Sequence, residues 1–151
     1  MFEDFDEKSV RALEAAKELA TKLEDESVAT GHVIYGLTVD ESTALHHIFK
    51  DLNVDPDMFS GYVESLPREP AMDSEEPWNR HVKTAIERAS ATREELGGPK
   101  VTPEYLCLAL LSIRAGSCYE TLREFSIDPG YVPRLIMQSM GREPDTAPEW
   151  F

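Results

Sequence analysis

The apolar positions of this chain recur at helical spacing. Val10, Leu13, Ala16, Ala20 and Leu23 fall on one face of a helix, and Val82, Ala85, Ile86, Ala89 and Leu96 do the same further along. Short, nearly continuous apolar segments follow each of these: Val33, Ile34 and Leu37, then Leu106, Leu110 and Leu111. Leu45, Ile48, Phe49 and Leu52 predict a third helix, with Leu122 and Phe125 as a weaker counterpart. Asp55-Pro56 and Asp128-Pro129 then each read as a helix start, with Asp at the cap and Pro where no amide donor is needed. The helices they open carry Met58, Phe59, Tyr62, Val63 and Leu66, and Tyr131, Val132, Leu135 and Ile136, with Pro133 in a first turn. No segment alternates with period two. The pattern predicts an all-α chain of about eight helices.

These elements come in two sets. Shifting the sequence by 73 residues lays 5–66 over 78–139 without a gap, with eight identities: Ala12/Ala85, Glu14/Glu87, Ala16/Ala89, Leu23/Leu96, Val28/Val101, Leu37/Leu110, Asp55/Asp128 and Pro56/Pro129. Apolar pairs such as Phe5/Trp78, Leu13/Ile86, Phe49/Leu122 and Leu52/Phe125 keep their places too, as one packing scheme used twice requires. The expected organisation is repeat one over 1–66, a Pro- and acid-rich linker over 67–77, repeat two over 78–141 and a polar tail over 142–151. Two pseudo-symmetric four-helix units should result, with Leu13, Leu37, Phe49 and Leu52 core-facing beside their equivalents Ile86, Leu110, Leu122 and Phe125.

Charge narrows the functional classes. With 29 acidic residues against 15 basic ones the net charge is −14. A non-specific nucleic-acid binder needs clustered Lys and Arg, and an anionic membrane surface repels such a chain. No apolar run approaches a membrane span and the N-terminus lacks a signal-peptide pattern, so a cytoplasmic location is expected. Cys107 and Cys118 do not make a disulfide scaffold; Cys107 is expected to pack in a helix and Cys118 to lie in or near a loop.

A search for chemistry finds no phosphate-cradling G-x-x-x-x-G-K-[ST], no H-E-x-x-H, and no metal spacing among the histidines and cysteines. His46 and His47 are adjacent and point about 100° apart on a helix. No enzyme, no metal and no cofactor is expected.

The opening Met-Phe-Glu-x-Phe, the Ala- and Glu-rich helix, and Val-Ala-Thr-Gly-His-Val-Ile-Tyr-Gly-Leu (28–37) together resemble the Clp N-terminal domain. In that family the last segment reads approximately I/V-G-T-E-H-I/L-L-x-G-L and occurs in each of two tandem repeats. Val-Thr-Pro-Glu-Tyr-Leu-Cys-Leu-Ala-Leu (101–110) is a diverged second copy. The resemblance covers 1–140 and implies a double Clp repeat, here expected as a free-standing copy without the AAA+ ATPase modules. It implies a binding module whose partners are Clp-type AAA+ unfoldase or protease subunits and substrate or adaptor proteins. The alternative it leaves open is a stand-alone sensor or decoy that sequesters a peptide or cyclic-peptide antibiotic.

Two candidate sites follow from the resemblance. Some family members bind phosphoarginine at the motif, where a helix N-terminus attracts phosphate and the motif Glu pairs with the guanidinium. Around Thr30, Gly31 and His32 that Glu is replaced by Gly31, so the first site should be lost, and Gly31→Glu should restore an acid without harm to the fold. Around Thr102, Glu104 and Tyr105 the acid remains, but Pro103 removes one amide donor. Glu104 reads equally as an ordinary first-turn acid in a helix capped by Thr102. The second candidate is a groove between the repeats at Phe2, Phe5 and Trp78, where the family accepts peptides; Phe5 and Trp78 read equally as core staples, and Phe2 is the better exposed contact.

Overall fold

The computed structural model describes residues 2–66 and 77–143; most of the expected linker (67–76) and tail (144–151) lies outside these residues. Among the described residues eight helices form: α1 (Glu7–Lys22), α2 (Thr30–Val39), α3 (Ala44–Asp51), α4 (Pro56–Glu64), α5 (Arg80–Leu96), α6 (Pro103–Ser112), α7 (Gly116–Glu124) and α8 (Val132–Ser139). Their starts are written in the caps. Asp6, Thr43, Asp55, Asn79 and Thr102 each accept the backbone N–H three residues on, which satisfies an amide that has no partner within the helix. Gly97 ends α5 at φ 84°, and the equivalent position after α1 holds Glu24 in the same left-handed region at φ 59°. Copy one therefore carries a local strain that glycine relieves in copy two.

The short apolar segments are the two central helices. Every residue of α2 from Thr30 to Thr38 except Tyr35 is buried, and in α6 only Glu104 escapes burial. A helix that is apolar on all sides must sit inside. The amphipathic α1 and α5 lie across α2 and α6. Leu13, Leu37 and Phe49 and their equivalents Ile86, Leu110 and Leu122 are all buried, whereas Leu52 and Phe125 pack only half-buried at the edge of the core.

One detail differs from expectation and another refines it. Asp55 caps α4, but Asp128 bonds to the Gly130 amide in a turn and α8 begins only at Val132. A helix begun at Pro129 would put Pro133 one turn inside, where it lacks the needed N–H; the later start leaves Pro133 in the first turn. Cys118 lies in helix α7 and is buried. It stands in the first turn, beside the loop at 113–115 as expected but inside the helix, because the turn ends at Gly116, whose positive φ of 87° lets the chain enter the helix at once.

The two repeats are joined by a reciprocal clasp. Phe5 bridges Val101 and Trp78 bridges Val28, both parallel. The Asp6 amide donates to the Val101 carbonyl at 2.9 Å and the Val101 amide to the Asp4 carbonyl at 2.7 Å. Seventy-three residues along, the Asn79 amide donates to Val28 at 3.0 Å, and Val28 to Pro77 at 2.7 Å. Each repeat's opening residues thus close on the other repeat's segment before its central helix. Among the described residues there is no strand beyond these bridges, and no helix long and apolar enough to cross a membrane.

Candidate functional site

The clasp determines where the three aromatic candidates go. Because residues 4–6 and 77–79 pair inward, Phe5 and Trp78 are buried, at 5% and 3% exposure. Phe2 lies over both, half-buried, with ring centroids 5.2 Å from Phe5 and 6.0 Å from Trp78 in tilted and edge-on geometry. The Lys17 ammonium stands 5.6 Å from the Trp78 ring centre. The expected meeting of Phe2, Phe5 and Trp78 at the inter-repeat seam is therefore present, and Phe2 is its outward member.

The first helix start is occupied from within. α2 and α7 meet at their N-termini, and each caps the other: the Gly31 amide donates to Ser117 Oγ at 2.7 Å, and the Cys118 amide donates to Thr30 Oγ1 at 3.0 Å. A Cβ on Gly31 would stand 2.8 Å from both Ser117 Oγ and Val63 Cγ2. This packing speaks against the expectation that Gly31→Glu leaves the fold unharmed, because a first carbon forces Ser117 and Val63 to shift and disturbs the bond between the Gly31 amide and Ser117. His32 is equally committed. Its Nδ1 accepts the Ala29 N–H at 2.8 Å, reaching back from the first turn to the N-cap amide, so the proton sits on Nε2 and is donated to Asp25 Oδ2 at 2.7 Å. Burial holds its pKa below the usual 6.5, against the pull of Asp25.

The second start is more open. Thr102 Oγ1 accepts the Tyr105 amide at 3.3 Å, Pro103 and Tyr105 are buried, and Thr102 and Glu104 are half-exposed. Tyr105 lies so close over Gly98 that a Cβ there would stand 2.8 Å from its hydroxyl. Of the six motif residues singled out by sequence, Thr102 and Glu104 are those left facing solvent.

Sequence reasoning missed Ser117 and Asp25. A faint signal existed for the first: Thr30 and Ser117 carry hydroxyls where their repeat equivalents are Pro103 and Ala44, so the latch exists in one copy only. Potential nucleophiles are shut away. Cys107 and Cys118 are buried, and burial raises both thiols, Cys118 to about 12. His46 is half-buried against the Thr38 carbonyl at 2.7 Å, and His47 is exposed. Among the described residues no three His, Cys, Asp or Glu side chains converge as a metal site requires.

Comparison with known proteins agrees with this architecture. The chain is 23% identical over 148 residues to the chloroplastic chaperone protein ClpC of Pisum sativum, a match covering 97% of this chain and 16% of that protein. It is 22% identical over 152 residues to the chloroplastic chaperone protein ClpD1 of Oryza sativa subsp. japonica, at 95% and 16% coverage. The chain thus spans about a sixth of these relatives' length. In fold it is similar to the N-terminal domain of the ClpD chaperone from Arabidopsis thaliana, with TM-score 0.80, 17% identity and 93% and 97% of the two chains covered. The Hsp104 N-terminal domain from Candida albicans gives TM-score 0.74 at 14% identity, over 97% and 100%. The family model for the Clp repeat N-terminal domain matches residues 4–125, a span taking in both helix starts and the clasp, and the chain belongs to that family.

Proposed function

We propose that the chain is a non-catalytic protein-binding module that works with a Clp unfoldase–protease as accessory subunit, adaptor or regulator, capturing substrate or adaptor proteins. The family match over 4–125 carries this reading. It is supported by the state of the reactive groups: the thiols are buried with their pKa raised, and His32 has one ring nitrogen accepting the Ala29 amide at the start of α2 and the other bonded to Asp25. The binding unit is residues 1–141, and its contact residues are Phe2 at the seam with Thr102 and Glu104 at the second helix start. Thr30, Gly31, His32, Phe5, Trp78 and Tyr105 serve it from beneath, by holding that surface in shape.

Affinity purification of the tagged chain from its native cell tests the reading. Clp unfoldase or protease subunits in the eluate, reduced by Phe2→Ala or Glu104→Ala, are the expected result. A chain recovered without them, carrying a small peptide visible by native mass spectrometry, would replace this reading with that of a sequestering sensor.

A further inference from the structure

The two repeats differ most informatively at the crossing of their first two helices. In repeat two the side chain of Arg88 on α5 reaches the end of α6, where Nη1 donates to Ser112 Oγ at 3.1 Å and to the Ser112 carbonyl at 3.3 Å. That end of a helix carries the negative pole of its dipole, which suits a guanidinium. In repeat one the equivalent of Arg88 is Ala15 and that of Ser112 is Val39. Ala15 and Val39, the equivalents of Arg88 and Ser112, line a groove of about 290 Å3 between α1, α2 and α4.

The groove's walls suit the kind of side chain that repeat two carries at Arg88. Leu19, Tyr35 and Val39 give it an apolar and aromatic side, with Val39 40% exposed. Glu18 and Asp57 bring two carboxylates to its rim, at positions where repeat two has the uncharged Ala91 and Gly130. Repeat one thus has Ala15 where repeat two has Arg88 and carries two carboxylates that repeat two lacks, while Lys22 stands where repeat two has Glu95. Lys22, one turn beyond Glu18, is the cation on the same rim. A carboxylate pair beside an aromatic face is the pattern that recognises a planar guanidinium, and the volume suits one long side chain rather than a larger ligand. The overall charge of −14 adds long-range attraction for a basic segment.

We infer that this groove receives an arginine side chain from a partner protein segment, beside the position where repeat two has Arg88. The inference rests on the reading of the chain as a protein-capturing module and names the chemistry of one contact. The partner's guanidinium lies toward Glu18 and Asp57, and its methylene stem against Leu19, Tyr35 and Val39.

The test is an NMR titration of the 15N-labelled full chain with the peptide acetyl-Ala-Leu-Arg-Leu-Ala-amide. A second peptide with citrulline in place of arginine keeps the shape and removes the charge. Saturable shifts of the Ala15, Leu19, Tyr35 and Val39 amides are expected with the arginine peptide, and binding weaker by about 5-fold or more with citrulline. Glu18→Gln and Asp57→Asn each weaken binding about 2- to 5-fold, the value of one exposed ion pair, and Lys22→Gln strengthens it. Ala15→Arg, which copies Arg88, abolishes the shifts while its thermal melt shows an intact fold. Shifts absent from the groove, equal binding of citrulline, or undiminished binding by folded Ala15→Arg would each overturn the inference. If such a failure coincides with normal recovery of Clp subunits by affinity purification, the groove assignment falls and the proposed function stands. Loss of Clp subunits from the wild-type chain is the separate failure of the function itself.

Discussion

Gly36→Ala probes a close backbone approach between α1 and α2. Gly36 faces α1 where a Cβ would stand 2.1 Å from the Ala12 carbonyl oxygen, 3.0 Å from its carbon and 3.2 Å from the Ala16 nitrogen. These are backbone atoms, so no rotamer change relieves the overlap. To reach ordinary contact α1 must withdraw from α2 by about 1 Å, and dispersion contacts decay steeply over that distance. Ala12, Leu13, Ala16, Leu19 and Ala20, all buried on α1, would loosen together. Overpacking of this kind costs about 1–3 kcal/mol, and here it is opposed by the better helix propensity of Ala, about 1 kcal/mol. The constraint is rigid backbone, so the upper part of that range applies and the net loss should be about 2 kcal/mol. Repeat two supplies the control. Its equivalent residue is already Ala109, fully buried against α5, so Ala109→Gly should cost about 1 kcal/mol through propensity and lost burial. Urea unfolding at constant slope reads both values. A Gly36→Ala protein as stable as the parent, or more so, would show that the α1–α2 spacing adjusts freely and refute the reasoning.

Three further outcomes follow from the first helix start. Thr30→Val, which leaves the buried Cys118 amide unpaired, should cost about 1–3 kcal/mol and Ser117→Ala about 1 kcal/mol; a double variant that is simply additive would deny that they form one latch. His32 is held below pKa 6.5 in the folded chain, so its neutral form stabilises the fold above that value and the contribution is lost as pH falls from about 6.5 through its folded pKa. Denaturation midpoints between pH 7 and 5 should therefore decline in the parent, and less in His32→Gln; equal slopes would contradict the cap geometry. Gly31→Glu should lower the thermal midpoint and gain no affinity for free phosphoarginine by calorimetry, and a stable variant that binds would reinstate the acid-restored site.

The repeat was legible because its signal is distributed: the 73-residue offset aligns caps, core positions and even the left-handed residues Glu24 with Gly97 and Asn53 with Ser126. What escaped were features set by single residues across long separations. Nothing local distinguishes Ser117 from any exposed serine; its importance lies in an amide 86 residues away. Gly31 read as an unoccupied place for a carboxylate, because sequence shows the missing side chain and not the atoms that press against it. Asp128 failed as a cap because of Pro133, five residues later, which local cap chemistry does not weigh. The reading of the groove at Ala15 depends on the pair of repeats, since Arg88 stands at the equivalent position in repeat two.

The reciprocal clasp has a consequence for folding order and origin. Residues 4–6 find their long-range backbone partner at Val101, so during synthesis the first repeat waits for about two thirds of the 151 residues before its opening is closed. A single 73-residue unit released from this chain would present the same two unpaired segments. Two such units related by a twofold axis would exchange them and make every bond of the clasp twice, since residue i meets j in one direction and j meets i in the other. The tandem chain is in this sense a covalently linked homodimer. Tied in one chain, neither half has to match itself: Thr30 finds a hydroxyl partner in Ser117 while its own counterpart is Pro103.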